Sequence, residues 1–122
     1  KVHYTFPSIF FKHIKKNQIF EPKSYYKDFL GVDKFCEIVL KLVGKSAYGV
    51  FNVSIGKKIY LKNIVNWLNP NKSKVKMIKN QNVECFTLSN NKLLNFIPIK
   101  ISENDLRSEC LNLSKKFFKK KK

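Results

Sequence analysis

Apolar positions along this chain alternate between helical spacing and short dense runs, which predicts a series of small elements without internal repeats. From Val32 to Val43, the residues Val32, Phe35, Cys36, Val39, Leu42 and Val43 keep the three-four-seven spacing of one helical face. A helix is predicted there with that face turned inward. A second helix follows Gly56, with Leu61, Ile64, Val65 and Leu68 inward and Asn69-Pro70 as its stop. Ser102 and Asp105 have capping-box spacing and open a third helix, which buries Leu106, Cys110, Leu113 and Phe117. Pro7-Ser8 reads as the cap of a short helix ending near Lys16, with Phe10, Phe11 and Ile14 inward. Strands are predicted at Val2 to Pro7, Gln18 to Phe20, Asp28 to Gly31, Tyr48 to Val53 and Val75 to Ile78. Val83 to Leu88 reads as extended, and Ser89 as the cap of a helical turn closed by Phe96-Ile97-Pro98.

A chain of 122 residues with 43% hydrophobic content supports one core and not two. One unit is expected over residues 1–118, followed by a basic tail at 119–122. The chain opens on Lys1 with strand-like residues immediately after it, so it is expected to be part of something larger.

Net charge changes the picture less than its size suggests. At +17 it raises nucleic acid or an anionic surface as a partner. Of the 25 basic residues, however, only Arg107 is arginine, whose planar fork suits base edges and bidentate phosphate contacts. Nucleic acid is therefore disfavoured as the main partner; a small non-catalytic basic domain that binds nucleic acid or an anionic surface is the second reading, and a degenerate remnant with only a structural role the third. The KKFFKKKK end, Lys115 to Lys122, reads as a solvated helix terminus ahead of a lipid-adsorbing tail.

Cys36, Cys85 and Cys110 are odd in number, far apart and set among apolar neighbours, the pattern of reduced core thiols in a cytoplasmic protein. No C-x-x-C occurs, and His3 and His13 have no ligand at a metal-site spacing, so no metal is expected. No apolar run approaches membrane-spanning length.

Catalytic patterns are missing as well. Gly31, Gly44, Gly49 and Gly56 fit neither the dinucleotide fingerprint nor the P-loop, and no tyrosine has a lysine four residues on. The pairs Asp28/Asp33 and Glu103/Asp105 read as turn and cap residues, not as an acid/base dyad. Why a strand–turn–helix unit, GVFNVSIGKKIYLKNIVNWL, should stand without phosphate-binding glycines is then a real question.

Three blocks supply an answer. Lys27-Asp28-Phe29-Leu30-Gly31-Val32-Asp33 resembles an R-D-F-I-x-V-x-D segment. Gly49 to Gly56, GVFNVSIG, resembles a G-x-Y-N-x-G-x-G turn. Ser89 to Pro98, SNNKLLNFIP, loosely resembles D-x-S-K-x-x-x-x-L-G-x-x-P. In this order they are similar to the carboxy-terminal part of the extended short-chain dehydrogenase/reductases, the NAD-dependent sugar-nucleotide epimerases and dehydratases, of which UDP-galactose 4-epimerase-like members are one type. The departures are Lys27 for arginine, Lys34 for an aspartate, Tyr60 for a serine cap and Ser89 for an aspartate.

The resemblance implies an α/β fold, a small mixed lobe that binds a sugar nucleotide and lacks most of the Rossmann domain. By itself the chain would bind no cofactor and catalyse nothing, NAD(P) belonging to the upstream half of a parent epimerase, dehydratase or reductase. Partners would be the nucleotide-sugar, the Rossmann domain and, in the parent, a second copy. The resemblance places Ser8, Ile9 and Phe10 near the nucleotide and Gln18, Ile19 and Phe20 around the base. Lys27 and Lys79 fall on the diphosphate, and Asn82 on the ribose. Phe20 reads equally as ordinary core, Lys79 as a solvated charge, and Asn52 as a buried amide paired with backbone.

Overall fold

A computed structural model of the chain describes Phe11, residues 26–70 and residues 85–119. Six elements follow one another in these segments: β1 (Tyr26–Lys27), α1 (Val32–Gly44), β2 (Ile59–Tyr60), α2 (Leu61–Leu68), α3 (Asn91–Phe96) and α4 (Glu103–Lys119). The described residues form a small mixed α/β chain, mainly helical, whose sheet is a two-stranded antiparallel ribbon pairing Tyr26 with Tyr60 and Lys27 with Ile59.

α2 forms as its spacing requires. Leu61, Ile64 and Leu68 are buried, Val65 is half-buried, and the helix stops at Leu68, one residue before the restricted Asn69-Pro70 pair. Its stripe packs on α4 and, with Ile55, Ile59, Leu106, Cys110 and Phe11, makes the larger of two cores. Phe11 is helical and buried and stacks on Phe117, with ring centroids 4.2 Å apart. The smaller core gathers Ile38, Leu93 and Ile97, and Ile101 packs against both.

The capping box closes as expected. The Ser102 hydroxyl and backbone N–H donate to Asp105 Oδ2 at 3.0 and 3.2 Å, and the Asp105 N–H donates to Ser102 Oγ at 3.3 Å. α4 buries Leu106 and Cys110, but its next inward position is Ser114, 1% exposed. Leu113 is turned out at 40% exposure, correcting the expected stripe.

α1 is the larger correction. The helix runs where the spacing puts it, but its apolar face is turned to solvent: Val32 is 69% exposed, Leu40 73% and Val43 71%, with Phe35, Cys36 and Val39 exposed beside them. Only Ile38 is buried, with Leu42 half-buried at its flank. The reason is positional, because the small core of Leu93 and Ile97, where α1 buries its Ile38, touches one edge of the helix.

Two predicted strands are absent. The ladder expected at Asp28 to Gly31 lies two residues earlier, at Tyr26–Lys27, and the chain then leads into α1, with Gly31 as its N-cap. Tyr48 to Val53 has no partner strand among the described residues, and Tyr48 and Val50 are 92% and 81% exposed. Cys36 and Cys85 are exposed rather than core residues; Cys110 is buried, and all three thiols are free. The cap position of α3 is Asn90, not Ser89. Residues 85–88 have no ladder. The strands expected at 2–7, 18–20 and 75–78, the rest of the helix ending near Lys16, and the tail at 120–122 lie outside the described residues.

Candidate functional site

Asp28 is the organising residue. Its Oδ1 accepts the N–H of Ile55 at 2.9 Å, and its Oδ2 accepts those of Gly56 and Leu88 at 3.1 and 3.2 Å. Two segments far apart in the chain, at 55–56 and at 88, are thus clipped to the carboxylate of a third. Ionised acceptors make the stronger hydrogen bonds, and three donors on one group leave little freedom for any of the segments.

Short polar side chains complete the junction. Asn52 Nδ2 donates to the Ser89 carbonyl at 3.0 Å, Ser54 Oγ to the Leu88 carbonyl at 3.3 Å, and Asn90 Nδ2 to the Ser54 carbonyl at 3.0 Å. Lys92 Nζ reaches the Val50 carbonyl at 2.6 Å. Side chains here take over the cross-links that a strand pair would make with backbone. Asn52 pairs with backbone as expected but is exposed; the buried amide is Asn90. Gly56 sits at φ +71°, and a Cβ there would lie 2.7 to 2.9 Å from the Asn90 amide, so both conformation and space call for glycine.

Beyond Asp28 the chain borders a cleft of about 640 Å³ between the start of α1 and α4, with Phe29, Ile64 and Leu106 as apolar wall and Glu109, Lys115 and Lys116 among its polar lining. Glu109 Oε1 accepts the Asp33 N–H at 2.8 Å and so serves the first turn of α1, which has no cap from its own segment. A side chain at Gly31 would collide with the Glu109 carboxylate. Lys34 pairs with Glu37 within α1 at 2.8 Å and ties the helix to α4 through Asp105 at 3.7 Å. The Glu37 hydrogen bond raises the Lys34 pKa, and the Ser102 hydroxyl lowers that of Asp105. Burial, aided by neighbouring Glu109, pushes the Cys110 thiol up to about 11.

Of the expected ligand residues, Lys27 is described. It stands in β1, half-buried, with Nζ 5.8 Å from the centre of the Phe86 ring, has no carboxylate partner among the described residues, and does not line the cleft. Ser8, Ile9, Phe10, Gln18, Ile19, Phe20, Lys79 and Asn82 lie outside the described residues. Sequence reasoning missed Asp28 as a junction, and Ser54, Asn90 and Glu109 altogether. The available signal was the recurrence of Asn and Ser at 52, 54, 89 and 90 inside two of the resembling blocks.

Among the described residues no group of His, Cys, Asp or Glu could hold a metal ion, and no helix is long and apolar enough to cross a membrane. In comparisons with known proteins, no family model, no curated protein and no solved structure matches the chain.

Proposed function

We propose that this chain is the sugar-nucleotide-binding lobe of an extended short-chain dehydrogenase/reductase, acting with an NAD(P)-binding Rossmann half and not catalytic by itself. One observation carries the reading: the three blocks on which the resemblance rests meet at one point. Asp28 comes from the first block, Gly56 and Ser54 from the second, and Ser89 and Asn90 from the third. Asp28, Asn52, Gly56 and Lys92 are the residues that match the quoted patterns there, and each bonds from its own block to another. The uncovered apolar face of α1 supports the same reading, because a lobe that docks on a larger half needs such a face.

In this reading Lys27 contacts the ligand diphosphate. Its backbone is fixed in the ribbon and its ammonium is free of carboxylates among the described residues. Calorimetric titration of the parent enzyme with its sugar nucleotide tests this. Lys27→Ala should weaken binding about ten- to a hundredfold, and Lys41→Ala, on the outer side of α1, should leave it unchanged. Equal effects of the two substitutions would remove Lys27 from the site. Micromolar NAD binding by the 122-residue chain alone would overturn the division of labour.

A further inference from the structure

The β-ribbon has a second face that the proposed function does not use. Tyr26 and Tyr60 oppose each other across it, their rings 5.8 Å apart and at 72°. Ile59, next along the strand, is fully buried, so the alternation of the strand turns Tyr60 outward, and it is 38% exposed. Lysines surround the rings: Lys58 Nζ is 4.8 Å from the Tyr26 ring centre and Lys62 Nζ 6.0 Å from that of Tyr60. Lys57, exposed, precedes Lys58 in the chain.

These charges have no acidic partner among the described residues. Among the described residues the ion pairs join Lys34 to Glu37 and to Asp105, and none involves Lys57, Lys58 or Lys62. Asp28, the carboxylate closest in sequence to the ribbon, is committed to three backbone donors. A pair of aromatic rings with ammonium groups beside it has the two features that hold unpaired nucleotides, a π-face for a base and cations for the phosphates.

We propose that the Tyr26/Tyr60 face of the ribbon binds single-stranded nucleic acid, one base stacking on the tyrosine pair while Lys57, Lys58 and Lys62 meet the flanking phosphates. In a duplex the base faces are already stacked, which excludes the ring contact. The cluster is made of lysines, and lysine meets phosphate as a point charge without the fork that reads base edges, so binding is tolerant of sequence. The ammonium groups over the rings swing to phosphate as the base takes their place. This inference does not depend on the proposed sugar-nucleotide site.

Fluorescence anisotropy of the full chain with a labelled oligothymidylate of about ten nucleotides tests it across a range of salt. Tyr60→Leu should weaken binding by about tenfold or more, and Tyr60→Phe should retain it. Replacing Lys58 and Lys62 together by Gln should reduce the slope of log affinity against log salt by about 1.4, at about 0.7 for each phosphate that is no longer neutralised. Circular dichroism establishes that each variant keeps its helices. The proposal is overturned if the wild-type chain fails to bind the strand at low salt, if Tyr60→Leu binds as wild type, or if a duplex of equal charge binds as tightly. It is also overturned if free thymidine nucleotide displaces the strand at micromolar concentration, which would make the face a nucleotide pocket. Phosphatidylserine vesicles that bind in a Tyr60-dependent way would overturn it in favour of a membrane surface.

Discussion

Removing the Asp28 carboxylate should open the junction of the three segments. Asp28→Ala deletes three hydrogen bonds, those from Ile55, Gly56 and Leu88. A hydrogen bond to a charged group contributes about 1.5–3 kcal/mol where the donor has no alternative. The Ile55 bond is part-buried, with the residue 3% exposed, and bears most of that cost. The bonds from Gly56 and Leu88 are solvent-exposed, and water replaces much of what they lose. The sum is about 3 kcal/mol, a large share of the roughly 5–15 kcal/mol that holds a domain of this kind folded. Asp28→Asn should do no better: if its remaining carbonyl oxygen serves Ile55, its NH₂ faces the Gly56 and Leu88 donors, two donors against a third. Urea unfolding followed by the fluorescence of Trp67, the single tryptophan and packed against the larger core, measures the change directly. Asp33→Ala, an exposed carboxylate in the first turn of α1, serves as reference, with an expected loss of about 0.3–1 kcal/mol. A loss below about 1 kcal/mol for Asp28→Ala would refute the idea that this carboxylate organises the fold.

Gly56→Ala should cost about 1–3 kcal/mol in the same assay, because φ is +71° and the new methyl meets the Asn90 amide; Gly49→Ala, with φ +93° but only Lys92 Nζ nearby at 3.7 Å, should cost less, and the reverse order would contradict the close packing at Gly56. The Cys110 thiol holds its proton in the folded chain up to about 11, whereas the unfolded chain loses it from 9.0, so stability falls as pH rises through that window, by up to about 3 kcal/mol. Comparing urea midpoints below 9 and near 11 for the wild type and Cys110→Ala checks the sign, since the variant should lose that part of the alkaline slope.

The elements themselves were legible in the sequence where one segment contains all the physics that makes them. α2 carries its own apolar stripe and its own proline stop, and Ser102 and Asp105 cap α4 within a single turn, so spacing alone was enough. The periodicity of α1 gave its extent equally well, since a helix forms from local hydrogen bonds, but it could not give the side that packs. Periodicity ranks the faces of a helix by hydrophobicity; which face is buried depends on what stands beside it, and here Leu93 and Ile97 reach only the Ile38 edge. Tyr48 to Val53 has strand-like residues, yet a strand needs a partner backbone, and whether one arrives is a property of the whole chain. The junction was hidden for the same reason. Asp28, Ser54, Gly56 and Asn90 are short polar or turn-forming residues whose local reading is a loop, and their common role exists only after folding has brought them within 3.3 Å of one another's partners. The sequence by itself determined where the chain becomes helical and where it turns. The tertiary structure decided which apolar face is covered and which carboxylate holds the loops together, because burial and long-range hydrogen bonding depend on neighbours that no local stretch of residues encodes.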